Sequence, residues 1–254
     1  MLLIKVRSTW TLVVIMLILA GAGILTAHFH YRGKNETVDP RIEAARISYE
    51  RYNNYARANA FDSVFALMDS IEAIYSATEH YRESYEVGVL YNNRAAAFLA
   101  MALYSDSTVC PASEKDSLIE LAEEQENRAI YIYSGWLDLY GEKSLTELEA
   151  IASKDFFIGL ENYSSEQQQS FLKTRVKEIE EAQEETRRRL SVAFTNQGVI
   201  FRTRKDYDGA AECYLKAIEL WDQNLTAENN LNILLGKPLK KRTFIQKLFP
   251  PDRN

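Results

Sequence analysis

The chain has 254 residues, 46% of them apolar and 26% charged, the balance of a globular chain with room for one sizeable domain or two small ones. Residues 35–236 carry 20 Lys and Arg against 35 Asp and Glu (net −15), whereas residues 237–254 carry six basic residues and one acidic (net +5). An acidic body repels phosphates, which leaves only the tail for nucleic acid and argues against such a partner. Ten Gly, five Pro and no alternating run of Val, Ile or Thr exclude a substantial sheet, so the class is all-α.

After a leader over 1–8, the segment 9–32 reads as a transmembrane signal-anchor helix. Trp10 to Ala27 is free of charge and, at about 1.5 Å per residue, comes close to hydrocarbon thickness. Trp10 at one end and His28-Phe29-His30-Tyr31 at the other suit the two interfaces. A cleaved signal is the competing reading, but the run is longer than a signal core, and its small-x-small triplet, Gly21-Ala22-Gly23, lies inside it. The expected arrangement is single-pass, with a cytoplasmic N-terminus and an exported domain. His28 and His30 have no thiol or carboxylate cluster beside them, so no metal site is expected.

A linker over 33–40 leads into a helical domain over 41–236. Helices are predicted from Ile42 to Ala58, from Phe61 to Ala77, around Tyr91–Phe98, and from Asp116 to Tyr140, with a polar loop from Tyr104 to Ser113. Ser144-Leu-Thr-Glu147 is a capping box that opens the inserted helices of 144–163, with a second short helix expected from Asp155 to Tyr163. Ser164-Ser-Glu-Gln167 opens a helix running to 204 without Pro. Its apolar or small residues at 172, 176, 179, 182, 186, 190 and 193 fit either packing on its own domain or a homodimer seam through 165–190.

Within 191–224 small and bulky residues alternate at fixed offsets: Phe194, Gly198, Phe201, Ala210, Tyr214 and Ala217, with Lys205-Asp206-Tyr207-Asp208 as a turn. Two helices that cross closely need small residues at the crossing and large ones in the gaps. This spacing resembles the tetratricopeptide repeat, W-x₂-L-G-x₂-Y…A-x₃-F, with Gln197 and Asp222 as departures from it. The resemblance implies a solenoid of helical hairpins. The long helix would pair with 207–223, a second pair would lie in 79–140 with Ala95 and Phe98 in the small and aromatic positions, and a degenerate pair would lie in 41–78. Residues 225–235 would form the solvating end helix, followed by a basic amphipathic tail over 237–254.

No nucleophile–base pair, phosphate loop, metal cluster or positioned carboxylate pair is recognisable, so neither an enzyme nor a cofactor is expected. The resemblance implies instead a scaffold or chaperone-like adaptor that takes a protein or peptide segment in its groove. Its first helices would supply Tyr49, Asn53, Arg57, Asn92, Asn93 and Arg202 to that groove. Asn53 and Asn93 fall where some family members hold a peptide carboxylate, while Tyr49 stands where those members have Lys. The alternatives are a sensory domain acting through the long helix, and a small-ligand or glycan binder using Tyr131, Tyr133, Trp136 and Tyr140.

Overall fold

A computed structural model describes residues 38–104 and 112–242, and every regular element among them is helical. The helices are α1 (Glu43–Tyr49), α2 (Tyr52–Arg57), α3 (Phe61–Ser76), α4 (Tyr85–Tyr104), α5 (Ala112–Tyr140), α6 (Leu145–Phe156), α7 (Ser165–Thr203), α8 (Tyr207–Leu220) and α9 (Leu225–Leu234), with a 3₁₀ turn at Glu79–Tyr81. The expected span at 9–32, most of the polar loop and most of the basic tail lie outside the described residues. Among the described residues no helix is long and apolar enough to cross a membrane.

Chain neighbours pack on one another. α1 and α2 lie on α3, α3 on α4, α4 on α5, α5 on α7, α7 on α8 and α8 on α9, while α4 also touches α7. The result is a row of three helical pairs closed by α9. Two of the pairs share one device. A Cβ on Gly198 would sit 2.4 Å from Tyr214 Cε1, and a Cβ on Gly88 would sit 2.6 Å from Tyr133 Cε1. Each tyrosine follows a fully buried alanine by four residues, Ala210 before Tyr214 and Ala129 before Tyr133. Only glycine lets the helices approach until a ring lies directly against the opposing backbone.

That equivalence corrects the expected register of the second pair by seven residues. Gly88, and not Ala95, stands where Gly198 stands, and Tyr91 takes the place assigned to Phe98. The first pair carries the same four-then-three spacing in Val64, Met68 and Ile71, all buried. Its leading helix is broken between α1 and α2 at Glu50–Arg51 rather than continuous.

Both capping boxes form. The Ser144 backbone N–H donates to Glu147 Oε2 at 2.9 Å, and the Ser164 N–H donates to Gln167 Oε1 at 3.0 Å. The segment Asp155–Tyr163 is not a second helix. α6 runs through to Phe156, and the chain then turns over Gly159 at φ +82°.

α7 is 39 residues long, about 58 Å at 1.5 Å per residue. Its first half buries Phe171, Leu172, Val176, Ile179 and Ala182 against Leu148, Ala152, Phe156 and Leu160 of the α6 region and against Trp136. Its second half joins the row: Leu190 and Ala193 enter the core of the first two pairs, and Ile200 packs with Leu99, Ala102, Ile119 and Ala122. The apolar stripe of 172–193 is therefore occupied within one chain, and a dimer through 165–190 would have to use other faces.

At the far end, Asn224 caps α9 by accepting from the Ala227 N–H at 3.0 Å, while its amide reaches Ser191 Oγ (2.8 Å) and Thr195 Oγ1 (2.9 Å) on α7. Past Gly236 (φ +63°) the chain doubles back along α9. The Lys237 N–H donates to Asn232 O at 2.8 Å, and the Asn229 side chain holds Lys240 through its N–H (2.7 Å) and its carbonyl (3.1 Å).

Candidate functional site

The leading helices of the three pairs meet on one face. Between α1, α4 and α7 lies a cleft of about 280 Å³ lined by Arg46, Tyr49, Tyr75, Tyr85, Glu86, Val89, Leu90, Glu178 and Arg189. Tyr49 stacks on Tyr52 with centroids 5.4 Å apart, and its hydroxyl accepts from Asn93 Nδ2 at 2.9 Å. That bond links the first pair to the second and leaves the Tyr49 O–H proton free to donate.

An ionic chain closes one end of the cleft. Arg46 grips Glu178 with both terminal nitrogens, at 2.5 and 2.6 Å. Arg175, one turn earlier on α7 and 2% exposed, holds Glu86 at 2.6 and 3.3 Å and passes 3.6 Å from Glu178. Its guanidinium lies over the Tyr81 ring at 4.4 Å, and its Nε donates to His80 Nε2 at 3.3 Å. Burial alone would raise the Glu86 carboxyl, but the charge and hydrogen bonds of Arg175 outweigh it and hold the group below the usual carboxylate range. His80 stays neutral because burial, then Arg175 and Arg41, lowers it to about 3. These pairs tie α1, α4 and α7 into one wall.

Of the residues expected in the groove, Tyr49 and Asn93 come together here. Asn92 points elsewhere, accepting from Asn196 at 3.3 Å beside the fully buried Glu126. Burial pushes the Glu126 carboxyl well above its ordinary range, against a weaker lowering by Asn196. Asn53 and Arg57 lie on α2 and are exposed, away from the cleft lining. Arg202 reaches Asn230 of α9 at 3.4 Å and helps to seat the end helix.

Sequence reasoning missed Arg46, Glu86, Arg175, Glu178 and Arg189. A faint signal existed: Arg175 stands directly before Val176 on the apolar stripe, where a solvated charge does not belong. Phe194, Gly198, Phe201, Ala210, Tyr214 and Ala217 lie in the third pair, with Ala210, Tyr214 and Ala217 wholly buried between α7 and its neighbours. Among the described residues no group of three His, Cys, Asp or Glu side chains could hold a metal ion. No family model, curated protein or solved structure matches the chain.

Proposed function

We propose that this chain is a tetratricopeptide-type solenoid, tethered by residues 9–32, that binds a segment of another protein on the face shared by α1, α4 and α7. The observation behind this reading is the repeated close approach at Gly88–Tyr133 and Gly198–Tyr214. Equal approach in successive pairs gives them equal tilt, which lines their leading helices along one face. On that face the Tyr49 hydroxyl and the partly exposed Arg189 present donors around a small cleft, with Asn93 beside it on Tyr49, an arrangement suited to a polar segment of a partner. The tether raises the local concentration of the domain beside a membrane complex, which makes a weak contact sufficient.

A photo-crosslinking residue placed at Asn93 in the full chain, in intact membranes, tests the reading. One stoichiometric protein adduct at Asn93, absent when the probe stands at Leu215 on the opposite side of the third pair, supports it. Equal adducts at both positions, or none at Asn93, would refute it.

A further inference from the structure

α5 packs one side into the core and leaves the other open. Leu121, Glu124, Arg128, Tyr131, Gly135 and Asp138 recur three or four residues apart and all are exposed, so they form one stripe on the helix. Clefts of about 340, 590 and 710 Å³ open along it in succession, sharing walls first at Glu72 and Arg128 and then at Arg82 and Tyr131. They make one trough between α5 and the side of α3 and α6. It runs from Leu121 to Tyr140, about 28 Å at 1.5 Å per residue. None of the stripe lines the cleft between α1, α4 and α7.

Two features of the stripe are halves of contacts. Tyr131 is 72% exposed, the most of any large apolar side chain among the described residues. One turn on, Gly135 leaves a notch, because a Cβ there would meet nothing within 4 Å. The second feature is ionic. The Arg128 guanidinium lies over the Tyr91 ring at 4.3 Å, yet neither Arg128 nor Asp138 makes an ion pair among the described residues.

These halves complete each other across a two-fold axis. When a second copy of α5 lies antiparallel with the axis level with Tyr133, Tyr131 of each chain stands opposite the partner's Gly135. The same register puts Arg128 opposite the partner's Asp138. Arg128 stands three positions before the tyrosine and Asp138 three after the glycine, so one axis satisfies both contacts, and each occurs twice. A ring then fills each notch, and each unpaired charge finds an opposite one. Glu124 comes opposite Glu142, but Glu142 has its own Arg187 at 3.7 Å. We propose that this chain pairs with a second copy of itself through antiparallel α5 helices, with Tyr131 seated on Gly135 and Arg128 on Asp138 across the axis. An interface built on one helix face lies at the small end of specific contacts, so association is weak, in the micromolar range.

Sedimentation equilibrium of the detergent-solubilised full chain across the micromolar range tests this. A reversible monomer–dimer equilibrium is expected. Arg128→Asp and Asp138→Arg each set like charges face to face twice and should weaken it at least tenfold. The double variant restores both pairs in reverse and should recover the dimer. Gly135→Leu fills the notch that receives Tyr131 and should also weaken association while keeping the far-UV spectrum of the parent. Asp138 is exposed, so Asp138→Arg remains informative if Arg128→Asp, which disturbs the stack on Tyr91, does not fold. The proposal is overturned if the chain is monomeric throughout, if Asp138→Arg or Gly135→Leu dimerises as the parent does, or if the folded double variant stays monomeric.

Discussion

Gly88 and Gly135 sit on facing helices of one pair, and replacing each with alanine should move stability in opposite directions. Both changes gain about 0.5–1 kcal/mol, because a helical glycine is conformationally costly. At Gly135 nothing opposes that gain, since a Cβ meets no atom within 4 Å. At Gly88 the new methyl would lie 2.6 and 2.8 Å from two carbons of the Tyr133 ring. That ring is 0% exposed and cannot retreat. Overpacking of this kind costs about 1–3 kcal/mol, and the deepest overlaps sit at the upper end. Gly88→Ala should therefore lose about 1–2 kcal/mol net while Gly135→Ala gains up to about 1 kcal/mol. Urea unfolding followed by far-UV circular dichroism resolves that gap. If Gly88→Ala proves as stable as Gly135→Ala, the helices do not approach there, and the equivalence of the two glycine–tyrosine contacts falls with it.

Tyr133 and Tyr214 both bury a hydroxyl that has no partner, so Tyr133→Phe and Tyr214→Phe should be neutral or stabilising by about 1 kcal/mol in the same assay. Arg175→Ala strands Glu86 and should cost about 3–5 kcal/mol, with Glu86→Gln on that background recovering part of it. Because the parent Glu86 carboxyl is held low, the stability it contributes is present above the unfolded carboxylate range and lost as pH falls through its folded value. Glu126 has the opposite sign. Its raised carboxyl favours the folded state while protonated, so stability declines as pH rises from the unfolded value toward the folded one. Glu126→Gln should flatten that decline and be the more stable form at pH 8, by about 1–3 kcal/mol in denaturation midpoints compared at pH 5 and pH 8. Asn224→Ala should cost about 1–2 kcal/mol and speed amide exchange selectively over 225–242.

What the sequence revealed of the fold was what local chemistry decides. α7 was readable because Ser164 and Gln167 announce its start and nothing but Gly198 interrupts it before Arg204. The third pair was readable because its turn is short, so Gly198 and Tyr214 lie close enough to be recognised as a set. The second pair defeated the same reasoning. Ala95, Ala96 and Ala97 offer small residues at several registers, and only contact with Tyr133, across a long connection, selects Gly88. Gly159 stopped a helix that the run from Asp155 suggested. The site was less legible still. Arg175 and Glu86 are 89 positions apart, and an arginine on a highly charged helix looks solvated until a distant carboxylate and Tyr81 are seen to enclose it.

The length of α7 has a bearing on how the molecule comes apart. Linear hairpin arrays tend to fray from their ends, because each unit touches only its neighbours. Here one continuous rod, alongside α5, contributes side chains to all three hydrophobic clusters, so no cluster can melt without stripping a face from the rod that supports the other two. Differential scanning calorimetry should accordingly trace one sharp endotherm whose calorimetric and van't Hoff enthalpies agree, as for a compact globule.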